Sequence, residues 1–330
     1  MRQAMAAAEV GDDVFGEDPT VNRLQDTIAQ LLGKEAALFV SSGTMGNQLA
    51  IKCHTEPGDE VLCEADSHPF NYEGGGPAFL SGVQLRPLAG KQGVITRDQL
   101  SQCLRPHDHH YPQSKLVLVE NTHNRAGGAI FPLAEMKNIH AFTQENALLL
   151  HLDGARLWNA HVATGISLQE YGQCCDSVTV CLSKGLGAPV GSVLAGTREF
   201  IDKAHRYRKM WGGGMRQVGI LAAAGLYAIE HHVQRLATDH GHAKRLAEAL
   251  NQLPGISVDM EATQTNIVIA DCGTCGKSAF LVMDELAKQG LLSIAMSPTR
   301  LRLVTHLDVS SDQVDQAIAI LHRTLASDRI

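Results

Sequence analysis

ALLLHLDGARLWNA, residues 147–160, decides the fold class. Its first half, ALLLHLD (147–153), is a short apolar run, and after Gly154 the pattern turns into the start of a helix. Runs of the same kind recur at AALFV (36–40), EVLCE (60–64), KLVLVE (115–120) and SVTVCLS (177–183), and all read as short buried strands. Between them, TRDQLSQCL (96–104) and PLAEMKNIHAFTQE (132–145) have the spacing of amphipathic helices. Strand and helix in alternation predict an α/β fold, a mostly parallel central sheet with helices on both faces. Ligands of such sheets gather beyond the carboxyl ends of the strands. Asp153, at the tip of its strand, stands where chemistry is expected.

From Met215 to Leu250 the pattern is nearly continuous helix. After Pro254-Gly255 come a strand at NIVIA (266–270), a helix at KSAFLVMDELAKQ (277–289), a strand at LRLVT (301–305) and a last helix at 310–326. This tail predicts a smaller C-terminal α+β domain over 235–330. The chain has 330 residues, 44% of them hydrophobic, and a formal net charge of −7. Its mild acidity, without a block of Lys and Arg, argues against a nucleic-acid binder. No apolar run approaches the roughly 20 residues needed to cross a bilayer, and MRQAMAAAEVGDD is expected to be neither secretory signal nor anchor. Eight scattered cysteines suit a reducing, cytoplasmic compartment. No metal site is expected. HDHH (107–110) reads as a solvated turn whose crowded histidines do not easily converge on one ion, and Cys272 and Cys275 of CGTC as a loop thiol pair.

Three stretches carry chemistry. In LSKGLGAPVG (182–191), Lys184 follows a buried strand and is flanked by Gly185 and Gly187. A lysine in a tight turn is the plain reading. A lysine in a water-poor pocket can instead offer a free amine for a Schiff base, with the glycines leaving room for a bulky ring. Asp153 can simply cap the helix that follows it, yet a carboxylate there is also what keeps a pyridine nitrogen protonated in pyridoxal phosphate. SSGTMGN (41–47), after the strand AALFV, places small and hydroxylated residues at a strand-to-helix turn. Gly43 and Thr44 are its candidate phosphate contacts, and without a P-loop lysine it suits a single phosphate monoester.

The order of cradle, aspartate and lysine resembles a fold type I pyridoxal-phosphate enzyme, of the aspartate aminotransferase-like kind, and in particular the low-specificity L-threonine aldolases. The resemblance runs through VGDDVFGEDPTVNRLQ (10–25), SSGTMGN, LVENTHN (118–124), HLDGARLWNA (151–160), CLSKGLGAPVGS (181–192), RKMWGGGMRQ (208–217) and RLVTHLDV (302–309). It implies a large cofactor-binding domain over 20–234, preceded by an active-site or interface segment at 1–19. It further implies that Lys184 forms the Schiff base, Asp153 pairs with the pyridine nitrogen and His68, in ADSHPFNYEGGG, stacks on the cofactor ring. His123 would lie near the substrate's side-chain hydroxyl, Arg156 would help fix the cofactor and carboxylate region, and Arg302 would clamp the α-carboxylate. Lys209 and Arg216 would be phosphate partners, one or both from a neighbouring chain. A homotetramer built as a dimer of dimers is implied, with active sites at a subunit boundary. Either His68 or His123 would take the β-hydroxyl proton.

The implied activity is cleavage of L-threonine and L-allo-threonine to glycine and acetaldehyde, a lyase reaction of amino-acid metabolism. Two alternatives stay open: an aldolase or lyase acting on another β-hydroxy amino acid (phenylserine or 3-hydroxyaspartate), and a cofactor-binding protein that is catalytically silent. The second arises because relatives usually carry an upstream Arg-Ser-Asp-Thr-like segment, whose serine helps hold the substrate carboxylate. Here the sequence starts at MRQAMAAAEVGDD, from a start assigned late or a true truncation. Phe15 stands where a tyrosine is expected in relatives.

Overall fold

Continuous burial marks the strands of a central sheet. A computed structural model describes residues 1–325. Among them, seven strands form one sheet: β1 (Ala36–Val40), β2 (Glu60–Glu64), β3 (Gln84–Leu88), β4 (Ser114–Glu120), β5 (Leu149–Gly154), β6 (Ser177–Cys181) and β7 (Ser192–Gly196). Their order is β1-β7-β6-β5-β4-β2-β3. The neighbours from β6 through β3 all pair parallel, while β7 pairs antiparallel with both β6 and β1. β1, β2, β6 and β7 are buried at every residue, as a sheet flanked by helices on both faces requires. The mostly parallel α/β sheet read from the sequence is the sheet observed.

Two strands were not legible. β3 is QLRPL, an edge strand pairing only with β2, and edge position is what lets Pro87 sit in it without costing a ladder bond. β7 is short and follows closely on the lysine stretch. The ten residues 182–191 therefore join two adjacent antiparallel strands, closed by Leu182 N–H to Gly191 O at 3.0 Å and Ala188 N–H to Leu182 O at 3.0 Å. Gly187 has φ +71° and donates its N–H to Lys184 O at 2.9 Å. This left-handed backbone favours glycine at that position.

Parallel pairing aligns the strand ends. Glu120 of β4 lies in register with Asp153 of β5, and Asp153 with Thr179 of β6. The helix Gly43–His54 packs on β6 and β7. Two glycines permit this approach: a Cβ on Gly46 would lie 2.6 Å from Thr179 Cγ2, and one on Gly43 would lie 2.8 Å from Cys181 Sγ. The helix Pro19–Leu32 is fastened at its start by Asp18, whose Oδ1 accepts from the N–H groups of Thr20 and Val21, both at 3.1 Å. Such a cap contributes about 1 kcal/mol.

By packing, the chain divides into two units. One holds Met1–Thr122 and Phe131–Val233, and the other His123–Ile130 with the chain from Gln234 onward. The continuous helix expected over 215–250 is interrupted: one helix ends at His232 and the next begins at Leu236. In the second unit, β8 (Ser257–Val258), β9 (Ile267–Asp271), β10 (Ile294–Ala295) and β11 (Arg300–Val304) form an antiparallel sheet in the order β10-β11-β9-β8. Leu246, Leu250, Val268, Leu301, Val314 and Leu321 form the core between this sheet and its helices. Fully burying each leucine or valine side chain stabilises by about 1.5–3 kcal/mol. The segment His123–Ile130 joins the unit through Thr265 Oγ1 donating to Gly128 O at 2.9 Å and Ile130 N–H donating to Gln264 Oε1 at 2.7 Å. No described helix is long and apolar enough to cross a membrane.

Candidate active site

A cavity opens at the carboxyl ends of β5 and β6, lined among others by Ser42, Gly43, Thr44, His68, Asp153 and Lys184. The sequence-predicted phosphate turn, aspartate, lysine and ring histidine thus converge on one place. Lys184, just past β6, is half-buried. Ser42 caps the helix Gly43–His54 by accepting from Met45 N–H at 3.1 Å. First-turn geometry leaves the N–H groups of Gly43 and Thr44 without intrahelical acceptors, at the positive end of the helix.

Asp153 is 3% exposed, and each of its oxygens has a donor. Oδ1 accepts from Ala155 N–H at 3.0 Å, and Oδ2 from Asn47 Nδ2 at 2.8 Å. The same Asn47 nitrogen donates to Glu73 Oε1 at 2.9 Å. Glu73 in turn accepts from Gln48 and meets His68 Nδ1 at 2.9 Å. Asn47 therefore ties two buried carboxylates to each other. The hydrogen bond to Glu73 is the main cause raising the His68 pKa above its ordinary value; burial opposes it, and the charges of Asp153, Glu73 and Glu120 add to the rise. Glu120 also accepts from His68 N–H at 2.9 Å, which fixes the backbone under the imidazole. Burial lowers the Arg156 pKa, while Glu120 and Asp153 pull it back up.

Asn47 and Glu73 were missed as site residues. Both lie inside stretches noticed for other reasons, and the available signal was helical spacing. Asn47 follows Gly43 by four positions, which puts it on the same helix face as the phosphate turn.

His123 and Arg302 belong to the second unit: His123 is buried and bridges Ala129, and Arg302 is half-buried in β11, opposite Ile269 and Ile294. Lys209 and Arg216 are exposed and do not line the cavity of this chain. Arg216 pairs with Asp12 at 2.6 Å and lies over the Phe15 ring. Asp108, His109 and His110 each bring a ligand atom within 4.8 Å of the others. The turn is thus tighter than its sequence suggests, though all three are exposed. Cys272 is buried, and desolvation pushes its thiol up to about 12, which makes a poor nucleophile.

The family model for beta-eliminating lyases matches residues 1–272. The low specificity L-threonine aldolase of Escherichia coli (strain K12) is 46% identical over 97% of this chain and 93% of its own. A probable low-specificity L-threonine aldolase 2 of Arabidopsis thaliana is 41% identical over 99% of this chain and 94% of its own. The chain belongs to the low-specificity L-threonine aldolase family. A crystal structure of a putative L-allo-threonine aldolase from Listeria monocytogenes shares the fold, with TM-score 0.82 and 23% identity, covering 98% of this chain and 94% of that one.

Enzymes of this family use pyridoxal phosphate, and it is the cofactor of this chain. The donor set fits it. A helix start with free N–H groups suits the phosphate, a primary amine suits the carbonyl carbon, and a carboxylate oriented through both oxygens suits a protonated ring nitrogen.

Proposed function

We propose that the chain catalyses aldol cleavage of L-threonine and L-allo-threonine to glycine and acetaldehyde. The observation that carries this reading is the convergence of Lys184, Asp153 and His68 on one cavity at the strand ends, in a chain of this family. When bound, pyridoxal phosphate supplies the electron sink for the bond broken at the substrate α-carbon. Lys184 would hold the cofactor covalently, Gly43 and Thr44 would take its phosphate, and Asp153 would keep its ring nitrogen protonated. Arg156 would support the cofactor and carboxylate region, and Arg302 would bind the substrate carboxylate through its guanidinium fork. His68 would lie on the ring, with Glu73 holding Nδ1 so that Nε2 is the atom able to exchange a proton. Either His68 or His123 takes the β-hydroxyl proton, directly or through water. We read the enzyme as a cytoplasmic homotetramer, a dimer of dimers, with Lys209 and Arg216, one or both from a neighbouring chain, completing the phosphate site.

The test is direct. The purified chain with added cofactor is expected to absorb in the visible and to release acetaldehyde from both threonine diastereomers. A protein that stays colourless would sink the reading, and a yellow protein releasing aldehyde from neither would reduce it to cofactor binding. In single-turnover experiments, near wild-type cleavage by both His68→Phe and His123→Phe would remove both as the base.

A further inference from the structure

Next to Asp153 runs a line of polar groups that the reaction does not use; His151 and Ser177 are buried, His54 is half-buried, and none of the three lines the cavity. Asn47 Oδ1 lies 3.2 Å from His151 Nε2. His151 Nδ1 lies 2.8 Å from Ser177 Oγ, and Ser177 Oγ lies 2.7 Å from His54 Nε2. His151 is 0% exposed, and Ser177 likewise. His54 is stacked on Phe200, the ring centroids 4.4 Å apart and 16° from parallel.

Donor and acceptor chemistry gives this line one direction. Asn47 Nδ2 faces two carboxylates, which only accept, so the amide cannot be turned around without setting oxygen against oxygen. Asn47 Oδ1 therefore faces His151, and His151 Nε2 must carry the hydrogen. Burial draws the His151 pKa down to about 4, against the pull of Asp153 and a hydrogen bond at Ser177, so the imidazole is neutral and its Nδ1 accepts. The single Ser177 hydrogen is then committed to His151, and Ser177 oxygen accepts from His54 Nε2–H. Burial draws His54 down to about 3, helped by His151 and Lys203, so it too is a neutral donor. Thr179 Oγ1, 3.5 Å from His151 Nε2, is a long secondary contact that leaves the direction unchanged.

We propose that His54, Ser177 and His151 form a one-way hydrogen-bond relay that, through Asn47, positions the Asp153 and Glu73 carboxylates for the cofactor. All four are positioning residues. Asn47 is the junction, because it spends one amide hydrogen on each carboxylate while the relay holds its oxygen. The role toward the cofactor rests on the reading of Asp153 as partner of the ring nitrogen; the direction of the relay does not.

Two measurements on the full chain test this. First, nitrogen-15 NMR of histidine-labelled protein should find both His151 and His54 as the Nε2–H tautomer at neutral pH. His151 as the Nδ1–H tautomer would overturn the direction. Second, the dissociation constant for pyridoxal phosphate and the pH midpoint of its visible band are compared across three variants. His151→Leu should weaken cofactor binding about tenfold, the upper end of the scale for a neutral hydrogen bond, and move the midpoint. His151→Gln should restore both, since a glutamine amide N–H reaches the place of imidazole Nε2. Ser177→Ala removes one hydroxyl and carries the test should His151→Leu not fold; it should show the same change to a lesser degree. Unchanged binding and midpoint in these variants, or equal loss in His151→Leu and His151→Gln, would overturn the positioning role. Failure of the wild-type chain to bind cofactor would instead fall on the proposed function, because the tautomers are read without it.

Discussion

His68 and His151 are linked through the same asparagine and are driven in opposite directions. His68, with its side chain 29% exposed, reaches Asn47 through Glu73, and that carboxylate raises its pKa. His151 meets Asn47 directly from the sealed side, and burial pulls its pKa down to about 4. The negative charge of Asp153 raises both, so it cannot explain the difference. What separates them is a direct carboxylate partner and access to water on one side, and desolvation without a charged partner on the other. One imidazole is suited to exchange protons, the other to remain a neutral donor.

The strongest way to break this comparison is Asp153→Asn, which removes the charge that acts on both rings. Acetaldehyde release should fall about a hundredfold to a thousandfold, on the scale of losing an aligned electrostatic group, with the circular dichroism of the wild type retained. The His68 titration should move down. Activity within tenfold of wild type would take Asp153 out of the machinery.

Acid stability sharpens the buried side. An unfolded histidine gains its proton near pH 6.5, whereas folded His151 and His54 resist it until about 4 and about 3. The unfolded state thus binds more protons in that window, and stability falls as pH drops below 6.5. The expected slope is about 1.4 kcal/mol per pH unit for each histidine. Urea unfolding at a series of pH values measures it, and His151→Gln should remove about half, since it deletes one of the two groups. A flat profile would mean that neither ring is held neutral.

Gly46→Ala disturbs the helix that carries Asn47. The new Cβ would meet Thr179 Cγ2 at 2.6 Å and Oγ1 at 2.8 Å, so the helix must lift from β6. Thermal unfolding should show a loss of about 1–3 kcal/mol. A variant as stable as wild type would show that this contact yields easily.

The mildest change is Glu73→Gln, on the open side alone. Without its carboxylate partner, the His68 pKa should fall, and the acid limb of kcat/KM should move to lower pH if neutral His68 is the base. NMR titration of His68 reads the first expectation directly, and an unmoved titration would assign the shift to the other nearby charges.

Strands and helices with a clear local signal were legible. AALFV, EVLCE and the first five residues of SVTVCLS are buried throughout and became β1, β2 and β6. Thr96 and Gln99 form the reciprocal cap that starts the helix Arg97–Cys103, inside the stretch expected to be helical. β3 was hidden by Arg86 and Pro87, which only an edge position tolerates. The site was legible where it lies near strand tips, since Asp153 lies at the end of β5, Gly43 and Thr44 begin a helix, and Lys184 stands three residues past β6.

By itself the sequence determined the α/β alternation, the ends of the strands and the residue types available there, because apolar runs and turn chemistry are local properties. Only the tertiary structure decided that residues 182–191 return antiparallel, that Asn47 joins Asp153 to Glu73, and that His68 gains a charged partner while His151 is sealed from water. These are matters of long-range contact and desolvation. An imidazole reads the same in a sequence whether it faces a carboxylate at 2.9 Å or a serine hydroxyl in a dry interior.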